Sequence, residues 1–327
     1  MTLSHLKDYF TRNVALWASI LVALLLFAMA SMRYSGFFGL AVIANLIDDN
    51  AFLGIAAVGM TFVIISGGID LSVGSMIALS SIASAVLIEA YHWPPALVFP
   101  VILLFGAAFG SFMGWMIAKF EIAPFLVTLA GMFFLRGFAY TLSQESIPLR
   151  HSFFQWFLSG SLSLGSATLR PTALIFLFVV GAGIYLTLYT KLGRSMFAIG
   201  GSSLSSALMG LRVQRTQIYI YLLSGTLSAL AGLVYAIYTS SGNSTAAMGA
   251  ELDVIAAVVI GGTLLTGGRG SVFGTLVGIF ILGIIQTIIT FEGTLSSWWS
   301  RIVIGALLLS FVGLQRIVTV AVRRPTR

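Results

Sequence analysis

The run Gly59-Met60-Thr61-Phe62-Val63-Ile64-Ile65-Ser66-Gly67-Gly68-Ile69-Asp70-Leu71-Ser72-Val73-Gly74-Ser75 carries a single charge, Asp70, just after a pair of glycines. Apolar sequence leads into it from Ala51 and away from it to Ala90. It reads as two membrane-spanning helices, 51–67 and 72–90, joined by a tight connection. Paired glycines let a helix end, and the freed backbone groups must then be covered by protein or by a water-lined cavity. Asp70 and Ser72 suit the start of the second helix as caps. An ionisable residue near membrane depth is also a functional candidate by default. Asp70 therefore carries both readings.

Working outward, a spanning helix needs about 20 apolar residues at a rise of 1.5 Å each. Besides the first two, that measure predicts spans at 14–32, 96–118, 123–142, 171–190, 216–240, 254–267, 271–290 and 298–315, about ten in all. The stretch 36–47 is too short to cross alone and reads as re-entrant or interfacial. Ala28-Met29-Ala30 looks like a signal-peptidase site, but the run before it is long enough to span, so 14–32 is read as an uncleaved helix. The composition agrees: 58% of the 327 residues are hydrophobic and 8% are charged, against roughly 25% charged in soluble domains. A soluble enzyme is excluded. The expected fold is all-α, a polytopic transmembrane helical bundle with broken or re-entrant segments, forming a single domain over 1–327.

The net charge of +7 would point to nucleic acid in a soluble protein, and no nucleic acid is expected here. Between apolar spans, Lys and Arg mark cytoplasmic loops. With the N-terminus inside, Lys7, Arg12, Lys119, Lys191, Arg194, Arg212, Arg215, Arg269, Arg316, Arg323, Arg324 and Arg327 all fall inside. Asp48, Asp49, Glu89, Glu145, Glu251, Asp253 and Glu292 fall outside. Both termini are then cytoplasmic, in a multi-pass membrane protein. The outer loop 143–170 holds Phe153-Phe154-Gln155-Trp156-Phe157, read as an aromatic anchoring belt in preference to an interfacial helix. The inner loop 191–215 is long and basic.

A second glycine break repeats the pattern: Gly261-Gly262-Thr263-Leu264-Leu265-Thr266-Gly267-Gly268-Arg269-Gly270-Ser271-Val272-Phe273-Gly274. Broken helices at corresponding places hint at a duplicated architecture and a substrate path. Asp70 and Arg269 have opposite charge and are expected to pair. Gly106, Gly110 and Gly114 follow a small-xxx-small pattern that predicts close helix packing.

Several chemistries are missing. The chain has no cysteine, so it holds no disulfide and no thiolate metal site. Its three lysines, Lys7, Lys119 and Lys191, do not follow a glycine, so no phosphate-binding loop of the G-x-x-x-x-G-K-[ST] type exists. Three histidines, His5, His92 and His151, make no cluster for a metal or a triad. Asp48 and Asp49 read as loop residues, which speaks against an aspartyl membrane protease.

The run 59–75 closely resembles the signature of ribose-type ABC monosaccharide permeases. The run 261–271 resembles that family's second marker, and Gly193-Arg194-Ser195-Met196-Phe197-Ala198-Ile199-Gly200-Gly201 through Ala207 and Gly210 resembles its ATPase-contacting loop. Three motifs agree in order and spacing over nearly the whole chain. Ser202 stands where the family often has asparagine. Within the family, the runs 129–137, 145–148 and 293–299 are similar to those of galactofuranose permeases of enteric bacteria.

The resemblance implies a cytoplasmic ATPase that uses ATP and magnesium, a second homologous permease and a periplasmic sugar-binding protein. It implies no cofactor on this chain. Gly193, Arg194, Ser195, Ala198, Ile199, Gly200, Gly201, Ala207 and Gly210 would form the coupling loop. Gly67, Gly68, Asp70, Ser72, Gly74, Gly267, Gly268 and Arg269 would form the helix breaks. Alternating access is the expected mechanism, with the path at the interface between this subunit and its partner permease, Thr128, Phe133, Arg136 and Gln286 as candidates for the sugar path, and membrane lipid around the bundle. The rival class is an ion-coupled secondary sugar transporter. The scarcity of acids inside the spans counts against proton coupling. A membrane enzyme comes third, for want of a catalytic constellation.

Overall fold

The computed structural model describes residues 14–164, 167–294, 296 and 298–323. His5, Lys7, Arg12, Arg324 and Arg327 lie outside the described residues. The chain folds as helices α1 (Val14–Arg33), α2 (Leu40–Asp49), α3 (Ala51–Ile65), α4 (Val73–Ala85, ending in a π-turn Val86–Ala90), α5 (Pro95–Phe120), α6 (Pro124–Leu142), α7 (Ser152–Ser159), α8 (Pro171–Tyr189), α9 (Lys191–Gly201), α10 (Ser203–Leu208), α11 (Val213–Thr239), α12 (Ala250–Ile260), α13 (Val272–Glu292) and α14 (Trp298–Arg323). Four short strands decorate one end: β1 (Ile147–Pro148) pairs antiparallel with β4 (Ser241–Gly242), and β2 (Leu162–Leu164) with β3 (Ala167–Leu169).

Among the described residues, seven helices are long and apolar enough to cross a membrane: α1, α4 with its π-turn, α5, α6, α8, α11 and α13. The bent pair α2–α3 makes an eighth, with 59° between its halves. The expected ten therefore splits into seven or eight full spans and two shorter helices. The 36–47 stretch is mostly the first arm of that bent pair. The bend falls at Asn50, whose side-chain amide donates back to the Leu46 carbonyl at 2.9 Å. Residues 254–267 become α12, which starts four residues earlier and stops at Ile260. At 11 residues it is about 16 Å long, half of the roughly 30 Å hydrocarbon thickness. The segment before it enters the bundle: Ser244 and Ala246 are both buried.

Helix α11 is the hub, packed against α5, α3 and α4. Small residues make this approach possible. A Cβ on Gly106, Gly110 or Gly114 would run into the backbone of α11, and one on Gly225 of α11 would run into the Gly106 carbonyl. The small-xxx-small expectation for α5 is thus met by a glycine on the facing helix. Tight backbone contact is how helices associate where lipid removes the hydrophobic drive between them.

Acidic side chains clasp one end of the bundle. Asp48 is buried, pairs with Arg170 at 3.1 Å and accepts from the Thr172 hydroxyl. Asp49 accepts from Tyr238 at 3.1 Å, and Glu292 from the Tyr34 hydroxyl. Glu89 accepts from the backbone amides of Arg150 and His151 at 2.6 and 3.0 Å. Asp48 and Asp49 close helix α2 and are not loop residues, because both carboxylates find partners there. The aromatic stretch 153–157 is a helix, α7. It is docked, with Phe154 buried and Phe153 edge-on to Phe99 at 5.6 Å, while Trp156 is exposed.

Candidate functional site

At the opposite end, the glycine pairs of three separate motifs meet. Helix α3 ends at Ile65, and Gly67 takes φ +87°, a conformation open to glycine at little cost. The amide of Gly268 donates to the Ile65 carbonyl at 2.8 Å, so the second break is hydrogen-bonded to the first. Gly267 and Gly268 also have positive φ, +81° and +75°. A Cβ on Gly267 would sit 2.9 Å from Gly67 Cα, and one on Gly268 3.0 Å from Gly201 Cα. A Cβ on Gly200 would run into the Ile65 carbonyl and the Gly268 amide. The end of α9 is therefore wedged between the two helix breaks, touching both by backbone alone.

Asp70 braces this junction from inside. It is 1% exposed. One carboxylate oxygen accepts from the Ser72 amide at 3.0 Å and hydroxyl at 2.6 Å, and the other from Ser224 of α11 at 2.7 Å. Thr128 of α6 donates to the adjacent Ile69 carbonyl at 3.2 Å. A buried carboxylate persists only when donors replace its water, and these fill that role. Gly74 leaves no room for a Cβ beside the Glu251 carboxylate, one of whose oxygens is buried without a hydrogen bond. Glu251 thus packs inside the bundle and not in an outer loop.

The expected Asp70–Arg269 pair does not form. Arg269 is exposed, Asp70 is enclosed by α11, and among the described residues the one ion pair is Arg170–Asp48. The two motifs meet through their glycine backbones, and three hydroxyl and amide donors already occupy the carboxylate.

The loop 191–215 divides into a docked and a free part. In α9, capped by Thr190 through the Gly193 amide at 3.1 Å, Met196 and Ile199 are buried. Gly193 abuts the carbonyls of Leu186 and Thr187, which makes the turn from α8 sharp. Arg194 is exposed, Ser195 donates to the Lys191 carbonyl, and Ala198 is half-buried. Ser202 caps α10 by accepting from the Ser205 amide at 3.2 Å, a task asparagine performs equally well. Within α10 and the turn after it, Leu204, Leu208 and Met209 are 72%, 82% and 71% exposed. Ala207 and Gly210 are exposed beside them, and Lys191, Arg212 and Arg215 flank them.

The four sugar-path candidates do not converge. Thr128 is buried at the junction, and Phe133 is exposed on the outer face of α6. Arg136 donates to the carbonyls of Ser244 and Ala246 at 2.9 and 2.8 Å, pinning the segment that leads into α12. Gln286 lines a cavity of about 370 Å³ between α12, α13 and α14. Sequence reasoning missed Ser224 and Glu251. A serine beside a glycine mid-span was the available signal for the first. Nothing in the sequence separated Glu251 from the loop acids.

Residues 42–312 match the family model described as branched-chain amino acid transport system / permease component. The chain is 50% identical over 94% of its length, and 94% of the relative's, to an inner membrane ABC transporter permease protein, YjfF, of Escherichia coli K12. It is 38% identical to the fructose import permease protein FruG of Bifidobacterium longum over 92% of this chain and 90% of that one. Against the ribose import permease protein RbsC of E. coli K12 the figures are 36%, 93% and 94%. No solved structure matches. With the family fixed, the ion-coupled and enzymatic alternatives fall away: the chain belongs to the ribose-type monosaccharide permeases of ABC transporters, as a multi-pass membrane component and not an enzyme.

Proposed function

We propose that this chain forms one of two homologous permease subunits of a monosaccharide importer, and that α10 is the element its ATPase grips. The family implies a separate ATPase and a sugar-binding protein. The observation that carries the ATPase reading is α10 itself. Leu204, Leu208 and Met209 stand in solvent at the bundle's end, ringed by basic residues. The helix before them is wedged into both glycine breaks. A movement of α10 is thus handed by α9 to α3 and to the start of α13. A partner shifts such an equilibrium only through different affinity for its two states, so the ATPase must hold α10 differently with and without ATP.

On this reading the glycine junction and both termini lie in the cytoplasm, and the acidic clasps face the periplasmic binding protein. Galactofuranose is the sugar we assign. The reading rests on the likeness of the runs 129–137, 145–148 and 293–299 to galactofuranose permeases.

The test is co-purification from cells that express the chain with its operon partners. Leu204→Asp with Leu208→Asp should insert in the membrane at wild-type level, lose the ATPase and abolish uptake. An ATPase that stays bound to this double variant would overturn the role of α10. Failure of the unaltered complex to accumulate labelled galactofuranose while accumulating ribose or fructose would replace the sugar and leave the importer standing.

A further inference from the structure

We infer that the cavity between α12, α13 and α14 is a monosaccharide subsite built by this chain alone. The inference rests on the importer reading above and adds a place where the sugar is held. The cavity, about 370 Å³, is lined by Asp253, Gln286, Thr290, Trp298, Arg301 and Ile304 among others. Its volume falls at the low end of the roughly 300–1,000 Å³ of small-molecule pockets, which suits one sugar ring. Asp253 lies in the first turn of α12, Thr290 in the last turn of α13 and Trp298 at the first position of α14. The cavity therefore runs from the inner start of the half-span α12 towards the end of the bundle away from the glycine junction, where an imported solute arrives.

Three features point to a polyol. First, polar side chains are costly at membrane depth and gather where a pathway needs them. Here a carboxylate, an amide, a hydroxyl and a guanidinium from three helices converge on one space. Second, Asp253 and Arg301 line the same cavity without closing on each other: among the described residues neither takes part in an ion pair. A net-neutral acid and base held apart leave acceptors and donors for vicinal hydroxyls. The Gln286 amide, which makes no side-chain hydrogen bond among the described residues, offers one of each. Third, Trp298 brings an aromatic face, fixed by the Arg301 guanidinium 5.0 Å from its ring centre. Sugars present apolar C–H faces to such rings and hydroxyls to the polar rim.

The full chain in lipid nanodiscs, probed by ligand-observed NMR, tests this. The probes are D-ribose, D-fructose, D-xylose and D-galactose, with L-leucine and glycerol as counter-probes. At least one sugar should bind. Gln286→Ala, Trp298→Ala and the shape-preserving Asp253→Asn should each weaken it roughly tenfold, the loss expected when one polar or stacking partner of the sugar goes. Binding of L-leucine in preference to every sugar overturns the ligand class. Sugar binding that all three variants leave unchanged overturns the site. Uptake by the complete transporter separates the two levels. If the unaltered transporter imports a sugar that the chain binds equally well with all three substitutions, only the subsite falls. If it imports no monosaccharide, the importer reading falls with it.

Discussion

Gly200 and Gly201 are neighbours in one motif with opposite tolerances. A Cβ on Gly200 meets the Ile65 carbonyl and the Gly268 amide, which are hydrogen-bonded partners, whereas a Cβ on Gly201 meets nothing within 4 Å. Alanine gains up to about 1 kcal/mol over glycine in a helix interior, but forcing a methyl into closed packing costs roughly 1–3 kcal/mol, so the clash wins at Gly200. Gly200→Ala should lower the melting temperature in detergent and abolish sugar uptake, while Gly201→Ala leaves the melt at or above wild type. A thermal melt of the two purified variants decides it; equal behaviour would mean that the junction yields. The sequence showed the pair Gly200-Gly201 within the basic loop 191–215. It did not show which glycine is required, because that depends on the approach of a helix more than 60 residues away in the chain. The same distance hid the true partner of Asp70. Arg269 was the obvious opposite charge, and Ser224 carries none.

At the scale of elements, apolar run length located every helix that crosses the bundle, because hydrocarbon demands an internally satisfied backbone over a fixed thickness. It could not tell a half-span from a span. Residues 254–267 are apolar enough to be either, and only the burial of Ser244 and Ala246 shows that the chain has already entered the bundle before α12 begins. The α2–α3 pair was opaque for a related reason, since the charges Asp48 and Asp49 look like a loop until their partners on α8 and α11 are known. Those partners make a testable clasp. Asp48 is 6% exposed and Arg170 49%. Arg170→Ala strands a buried carboxylate with Thr172 as its remaining side-chain donor, whereas Asp48→Asn leaves a guanidinium that water can reach and an amide oxygen that still accepts from Thr172. Losing a partner from a buried group costs about 1–3 kcal/mol. Arg170→Ala should therefore melt lower than Asp48→Asn. The reverse order would show that α2 is held to α8 by packing and not by the ion pair.

Over the whole molecule, the two ends differ in how their charges are held. Lys119, Lys191, Arg194, Arg212, Arg215 and Arg269 lie at the glycine junction. Asp48, Asp49, Glu89 and Glu292 lie at the far end, where each is tied into a clasp. The far end also holds Arg33, Arg150, Arg170 and Arg301, and these four acids are tied there, whereas the six cations of the other end are exposed. On the proposed reading a partner acts on the junction, and the far end serves as the fulcrum. Retention of Lys and Arg on the inner side of a membrane gives this asymmetry a direction. The chain supplies its own means of measuring it, for it contains no cysteine, so a single introduced thiol is the only one to react. Leu208→Cys places that thiol on exposed α10, and Tyr91→Cys places it in the exposed turn after α4. In intact spheroplasts an impermeant maleimide should label Tyr91→Cys and spare Leu208→Cys, and inverted vesicles should exchange the two. Labelling of Leu208→Cys from outside would invert the molecule and remove α10 from the reach of any cytoplasmic ATPase, whereas the expected pattern leaves the junction as the one end on which ATP hydrolysis can act.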